Sequence, residues 1–183
     1  MRSPFYFIVE PVGGKHYDNV RESGLIISTS KEDHKATNRF ATVINTPIGY
    51  NGPVEAGDIL VVHHNVFRSY YDMKGKERKS MSHLKDNLYI VDFDQFFLYK
   101  KNDSEWMAHS PYCFVGPIEK KKDLSVFEVG VEQPLIGKLT YVSDKINIPV
   151  GTLVSYQPDT EYRFDIDGKK LYRMFERNIC IIL

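Results

Sequence analysis

Between Gly13 and Asn38 the chain carries three large apolar residues, Leu25-Ile26-Ile27, directly after Gly24 and inside polar flanks. Lys15 to Ser23 precedes them and Ser28 to Lys35 follows. An irregular stretch of this length in a compact domain is generally functional or disordered. In extended backbone alternate side chains point opposite ways, so three in a row cannot all enter one small core. At least one is therefore expected to be available to a partner. The chemistry on offer is apolar burial against another surface. On the residues alone, the same tripeptide reads equally well as one more core strand.

Bond-making chemistry finds no support. The sequence has no Gly-rich phosphate loop, no nucleophile elbow and no paired-carboxylate site, so neither an enzyme nor a bound cofactor is expected. His63-His64 invites a metal, but adjacent residues of a strand face opposite sides and do not share an ion easily. The other histidines, His16, His34, His83 and His109, lie in polar segments without ligand spacing. From Arg68 to Asp86 five residues, Lys74, Lys76, Arg78, Lys79 and Lys85, accompany Tyr70 and Tyr71. Basic residues beside aromatics can hold single-stranded nucleic acid. Here Asp72, Glu77 and Asp86 dilute the charge, and a solvated, lengthened hairpin or loop is the expectation. Cys113 and Cys180 are too few and too far apart for a disulfide framework, and both are expected reduced and buried.

Hydrophobic residues at 42% and charged residues at 26% are ordinary for a soluble globular protein. Lys plus Arg number 24 and Asp plus Glu 24, so no global charge steers the chain toward nucleic acid or an anionic membrane. No apolar run approaches the roughly 20 residues that span a bilayer. Met1 to Glu10 lacks a small-residue cleavage site and reads as a first strand, not a signal peptide.

The elements that must position the tripeptide are strands. Phe5 to Val9, Phe40 to Ile44, Ile59 to Val62 and Leu88 to Val91 are short β-branched and aromatic runs bounded by Gly, Pro, Asn or Asp. Tyr112 to Val115, Leu139 to Val142, Leu153 to Tyr156 and Ile179 to Leu183 follow the same rule, and no long capped helix is predicted. The fold class is all-β. An internal repeat emerges from these runs. Phe7 to Val12 aligns with Cys113 to Ile118, and Ala56 to Val61 with Val150 to Ser155. Leu88 to Val91, then Phe96 to Tyr99, aligns with Leu171 to Met174, then Ile179 to Ile182. The connections are longer in the first half, as expected where loops carry function and strands carry the scaffold. The domains expected are 1–100, with its long loop at about 13–38, and 111–183, joined by a polar linker at 101–110.

Arg21-Glu22-Ser23-Gly24-Leu25-Ile26-Ile27 resembles the mobile loop of GroES-type co-chaperonins, in the Glu-Ser-Gly-Leu-Ile-Ile version of phage-encoded members. The strand ending in Glu10-Pro11-Val12, the Gly57-Asp58 strand start and the turn Asp92-Phe93-Asp94 between the closing runs are similar too. The likeness covers residues 4–100 well and 111–183 more weakly. It implies two tandem GroES-like, partly open β-barrels, the first docking on a GroEL-type chaperonin through Gly24, Leu25, Ile26 and Ile27. It further implies a cytoplasmic ring, homoheptameric by the family's sevenfold habit, that encloses an unfolded client while the partner chaperonin binds the ATP. In a virus that would be the host cytoplasm. The chain departs from bacterial members where their roof hairpin stands, since only Asn45 to Ala56 fills that interval, as a turn or short loop. The second half has no Gly-Leu-Ile-Ile; Leu124, Val126 and Phe127 stand in the matching place as a degenerate contact at most. Two other classes stay open: a structural or assembly protein of tandem β-barrels, such as a virion component, and a β-barrel binding single-stranded nucleic acid.

Overall fold

The structure, a computed structural model, describes residues 2–14, 20–22, 25–28, 37–101, 104–119 and 132–183, with backbone alone at 20–22 and 25–28. The chain divides into two compact units, Met1–Trp106 and Met107–Leu183. The division falls inside the segment 101–110 expected to link the halves.

The first unit contains β1 (Phe7–Pro11), β2 (Val20–Glu22), β3 (Leu25–Ser28), β4 (Phe40–Asn45), β5 (Ile59–Val62), β6 (Ser69–Tyr71), β7 (Glu77–Lys79), β8 (His83–Lys85), β9 (Leu88–Val91) and β10 (Phe96–Lys100). Six of these hydrogen-bond side by side in the order β10-β5-β4-β1-β9-β8, while β2 pairs with β3 and β6 with β7. All pairings are antiparallel. The second unit contains β11 (Met107–Ala108), β12 (Tyr112–Glu119), β13 (Glu132–Tyr141), β14 (Leu153–Tyr156), β15 (Tyr162–Ile166), β16 (Lys169–Phe175) and β17 (Ile179–Ile182). Its sheet runs β17-β14-β13-β12-β16-β15. Among the described residues the edge strands of each sheet do not bond to each other, so neither sheet closes into a barrel.

The two orders are the same once β1, β4, β5, β8, β9 and β10 are matched with β12, β13, β14, β15, β16 and β17. Register agrees as well. Val9 pairs with Val43 and with Tyr89, and Val115 pairs with Leu139 and with Tyr172. The glycines that open β5 and β14 do the same work. Gly57, at φ 96°, donates its amide to the Val43 carbonyl at 2.7 Å, and Gly151, at φ 92°, donates to the Leu139 carbonyl at 2.7 Å. Such a backbone is costly for residues with a Cβ, which is why both halves place Gly there. Each closing turn is held by a side-chain carbonyl, Gln95 accepting from the Asp92 amide and Asn178 from the Phe175 amide.

Cores follow from this register. In the first unit Phe7, Val9, Val43, Leu60, Val62 and Val91 are buried in one cluster, every second residue of their strands. At the equivalent places the second unit buries Cys113, Val115, Leu139, Val154, Tyr156 and Met174. Phe7 packs edge-on against Tyr50, Phe93 and Phe96 at 5.0, 5.3 and 5.3 Å between ring centres. Tyr50 thus ties the 45–56 turn segment to the core. At the end of the unit Trp106, 7% exposed, packs on Phe40 and lies under the Lys100 ammonium at 5.7 Å.

The expected strand at Phe5 begins two residues later. Ser3 Oγ accepts the amides of Phe5 and Tyr6, bending the chain there and leaving Phe5 exposed. The strands β8 and β15 were not anticipated. The cysteine expectation is corrected for one residue: Cys113 is buried, its thiol pushed up to about 12 by burial, but Cys180 is exposed on β17. Among the described residues no helix is long and apolar enough to cross a membrane.

At Gly137, on β13 beside β12, a Cβ would overlap Val115 Cγ1 and come within 2.8 Å of the Gly116 carbonyl oxygen. Gly137→Ala is expected to destabilise the second unit by about 1–3 kcal/mol, the usual cost of overpacking. Urea denaturation of the full chain measures this.

Candidate functional site

The segment singled out by its composition leaves the sheet at the end of β1 and returns as β4. Its departure is a short 3-10 turn, Val12–Gly14. Its return is Thr37 and Asn38, both buried. Asn38 clamps the two ends together. Its Nδ2 donates to the Val12 carbonyl at 3.2 Å, and its Oδ1 accepts the Phe40 amide at 2.9 Å. One side chain therefore closes the base of the excursion and starts the next strand. The polar flanks gave no hint of this residue, because a clamp between positions 12 and 38 depends on both ends meeting.

Within the excursion β2 and β3 form a two-stranded antiparallel sheet separate from the main one. Arg21 pairs with Ile26 and Glu22 with Leu25. Leu25, Ile26 and Ile27 are thus strand residues, and Gly24 lies outside the described residues. The matching place in the second unit lies between β12 and β13. Glu119 there pairs with Glu132, and Leu124, Val126 and Phe127 lie outside the described residues.

At the start of β13 the Glu132 side chain is tied to β16 instead. Lys170 Nζ donates to its Oε1 at 2.6 Å and the Tyr172 hydroxyl to its Oε2 at 2.6 Å. Burial raises the Glu132 pKa, but the hydrogen bonds from Lys170 and Tyr172 outweigh it and hold the carboxyl below its ordinary value of 4.5. Lys170 is raised in turn by its bond to Glu132.

Of the histidines, the structure brings His63 and His64 together. Contrary to expectation, His63 and His64 do not face opposite sides: β5 ends at Val62, strand alternation stops there, and the two rings lie 4.2 Å apart. His63 Nδ1 accepts the Asn65 amide at 3.2 Å. Among the described residues no cluster of three His, Cys, Asp or Glu side chains could hold a metal ion. No family model matches the sequence, and no curated protein matches it significantly.

Two outcomes follow. Asn38→Ala is expected to lower stability by about 1–3 kcal/mol, because it removes two part-buried hydrogen bonds to the backbone, each worth about 0.5–1.5 kcal/mol; thermal melting of the full chain reads this. Glu132 has a depressed folded-state pKa, so its stabilisation is present above the unfolded value and fades as pH falls through the folded one. The melting-temperature gap between the natural chain and Glu132→Gln should be open at neutral pH and close as pH drops below 4.5.

Proposed function

We propose that the chain is a GroES-type co-chaperonin, a ring-forming lid that docks on a GroEL-type chaperonin through Gly24, Leu25, Ile26 and Ile27. The observation that carries this reading is the Glu22-Ser23-Gly24-Leu25-Ile26-Ile27 segment between β1 and β4, where the resembled family has its mobile loop. The separate β2–β3 sheet supports it, since the apolar strand pairs outside the main sheet. The shared strand order of the two units supports two tandem GroES-like, partly open barrels, of which the first keeps the docking segment.

Magnitudes explain why such a site belongs to a ring. Burying three Leu or Ile side chains is worth roughly 5–9 kcal/mol gross. Ordering the loop costs about 1–2 kcal/mol for each residue fixed. One copy binds weakly; several copies presented together, in a homoheptamer by analogy, bind by avidity and release when the chaperonin changes nucleotide state. The lid itself performs no bond chemistry, ATP is hydrolysed by the partner, and the enclosed substrate is an unfolded polypeptide in the cytoplasm.

Ile26→Asp is expected to abolish chaperonin-dependent refolding of a denatured client while native mass measurement still finds the assembled ring. Full refolding yield with that variant would reject the docking assignment.

A further inference from the structure

The connection between β5 and β8 occupies residues 63–82, whereas its counterpart between β14 and β15 is the five-residue turn 157–161. The second unit reaches the same strand order without the extra chain, so the fold does not require it. The insertion is nevertheless organised. At its root Val66 and Phe67 are fully buried, Phe67 packs edge-on against Tyr89 at 4.9 Å, and Ser80 Oγ donates to the Val66 carbonyl at 2.6 Å. At its tip Asp72 accepts the amides of Lys74 and Lys76 at 2.9 and 3.0 Å and the Arg78 guanidinium at 3.0 Å. Hydrogen bonding from the Lys76 amide, then from Arg78, holds the Asp72 carboxyl below the usual range. Between root and tip β6 and β7 pair from Ser69↔Lys79 to Tyr71↔Glu77.

This hairpin presents what a folded surface normally covers. Met73 and Met81 are essentially fully exposed, at 106% and 98%, and Tyr70, Tyr71 and Leu84 are exposed beside them. Lys74, Lys76, Lys79 and Lys85 are exposed as well. Asp72, the acid at the tip, is engaged by its own turn. Glu77 is a second, exposed acid, but against five cationic side chains in 69–85 the segment stays basic, in a chain with no net charge. Grease, unbranched sulfur side chains and cations together suit a partner with carboxylates and apolar groups. Methionine adapts to varied apolar shapes, and cations steer and select acidic partners. A preformed hairpin also loses little freedom on binding. Single-stranded nucleic acid fits less well. Tyr70 and Tyr71 are neighbours in one strand and project to opposite faces, so they cannot form one stacking platform for successive bases.

We propose that the β6–β7 hairpin, with the segment after it through Lys85, is a docking surface for an acidic polypeptide segment that also carries apolar side chains. The surface is distinct from the chaperonin-docking segment and does not depend on that assignment.

The test uses the full chain and three labelled probes at low salt: a peptide alternating Glu and Leu, poly-glutamate of equal length, and oligodeoxythymidine. Anisotropy should show the alternating peptide binding most tightly. Its affinity should fall about tenfold in Lys74→Glu/Lys76→Glu, where opposing charges are reversed. It should fall about fivefold in Met73→Ser/Met81→Ser, where apolar contact is removed. Circular dichroism melts of both variants should match the natural chain, because the replaced side chains are exposed. Ile26→Asp should bind the peptide normally. Absence of peptide binding, unchanged affinity in both hairpin variants, tighter binding of oligodeoxythymidine, or loss of binding in Ile26→Asp would each overturn the proposal.

Discussion

The first unit depends on β1 being hydrogen-bonded along both edges, to β4 on one side and β9 on the other. That double pairing fixes which residues face inward. Phe7 and Val9 enter the core and meet Val43, Tyr89 and Val91 through the same register. It also fixes where the excursion between β1 and β4 can begin and end. Because the strands are antiparallel neighbours, the end of β1 lies beside the start of β4, and Asn38 can reach the Val12 carbonyl. A long segment can then be attached at modest entropic cost, since closing a loop becomes only slowly more expensive with its length.

The second unit repeats this arrangement with different side chains. Cys113 stands for Phe7, Met174 for Val91 and Tyr156 for Val62, yet each position is buried as its counterpart is. Cores tolerate such exchanges when volume and pattern are kept. Backbone devices vary less. The left-handed glycine before β5 and β14, and the side-chain carbonyl that closes the turn before β10 and β17, recur with nearly the same geometry. Hydrogen-bond geometry is stricter than packing, so it is the better trace of the repeat.

Where the units differ, they differ in connections. The first has the 12–39 excursion and the 63–82 insertion; the second spans the matching intervals with less chain. Neither addition is needed for the sheet order that both units reach. Their sequences are consequently free to carry contacts to other molecules, and both display apolar residues within polar surroundings. Both long connections, the one holding Leu25–Ser28 and the basic hairpin, thus belong to one unit, while the other retains the scaffold.

Much of this was legible from residue order. Ile59 to Val62, Leu88 to Val91 and Leu153 to Tyr156 are strands with the bounds their composition predicts, because β-branched runs between turn residues define them locally. The repeat was legible for the same reason, as was the unusual character of Leu25-Ile26-Ile27. Other features were not. Tyr162 to Ile166 alternates as a strand should, but Arg163 and Asp165 on its outer face masked it. His63 and His64 lie side by side only because the strand stops at Val62. The Asn38 clamp and the Glu132–Lys170–Tyr172 contacts join positions far apart in the chain. Periodicity and turn chemistry act over a few residues, so the sequence by itself determined strands, repeat and the apolar segment. Which distant polar groups meet is decided by sheet register, and register exists only once the tertiary structure has formed.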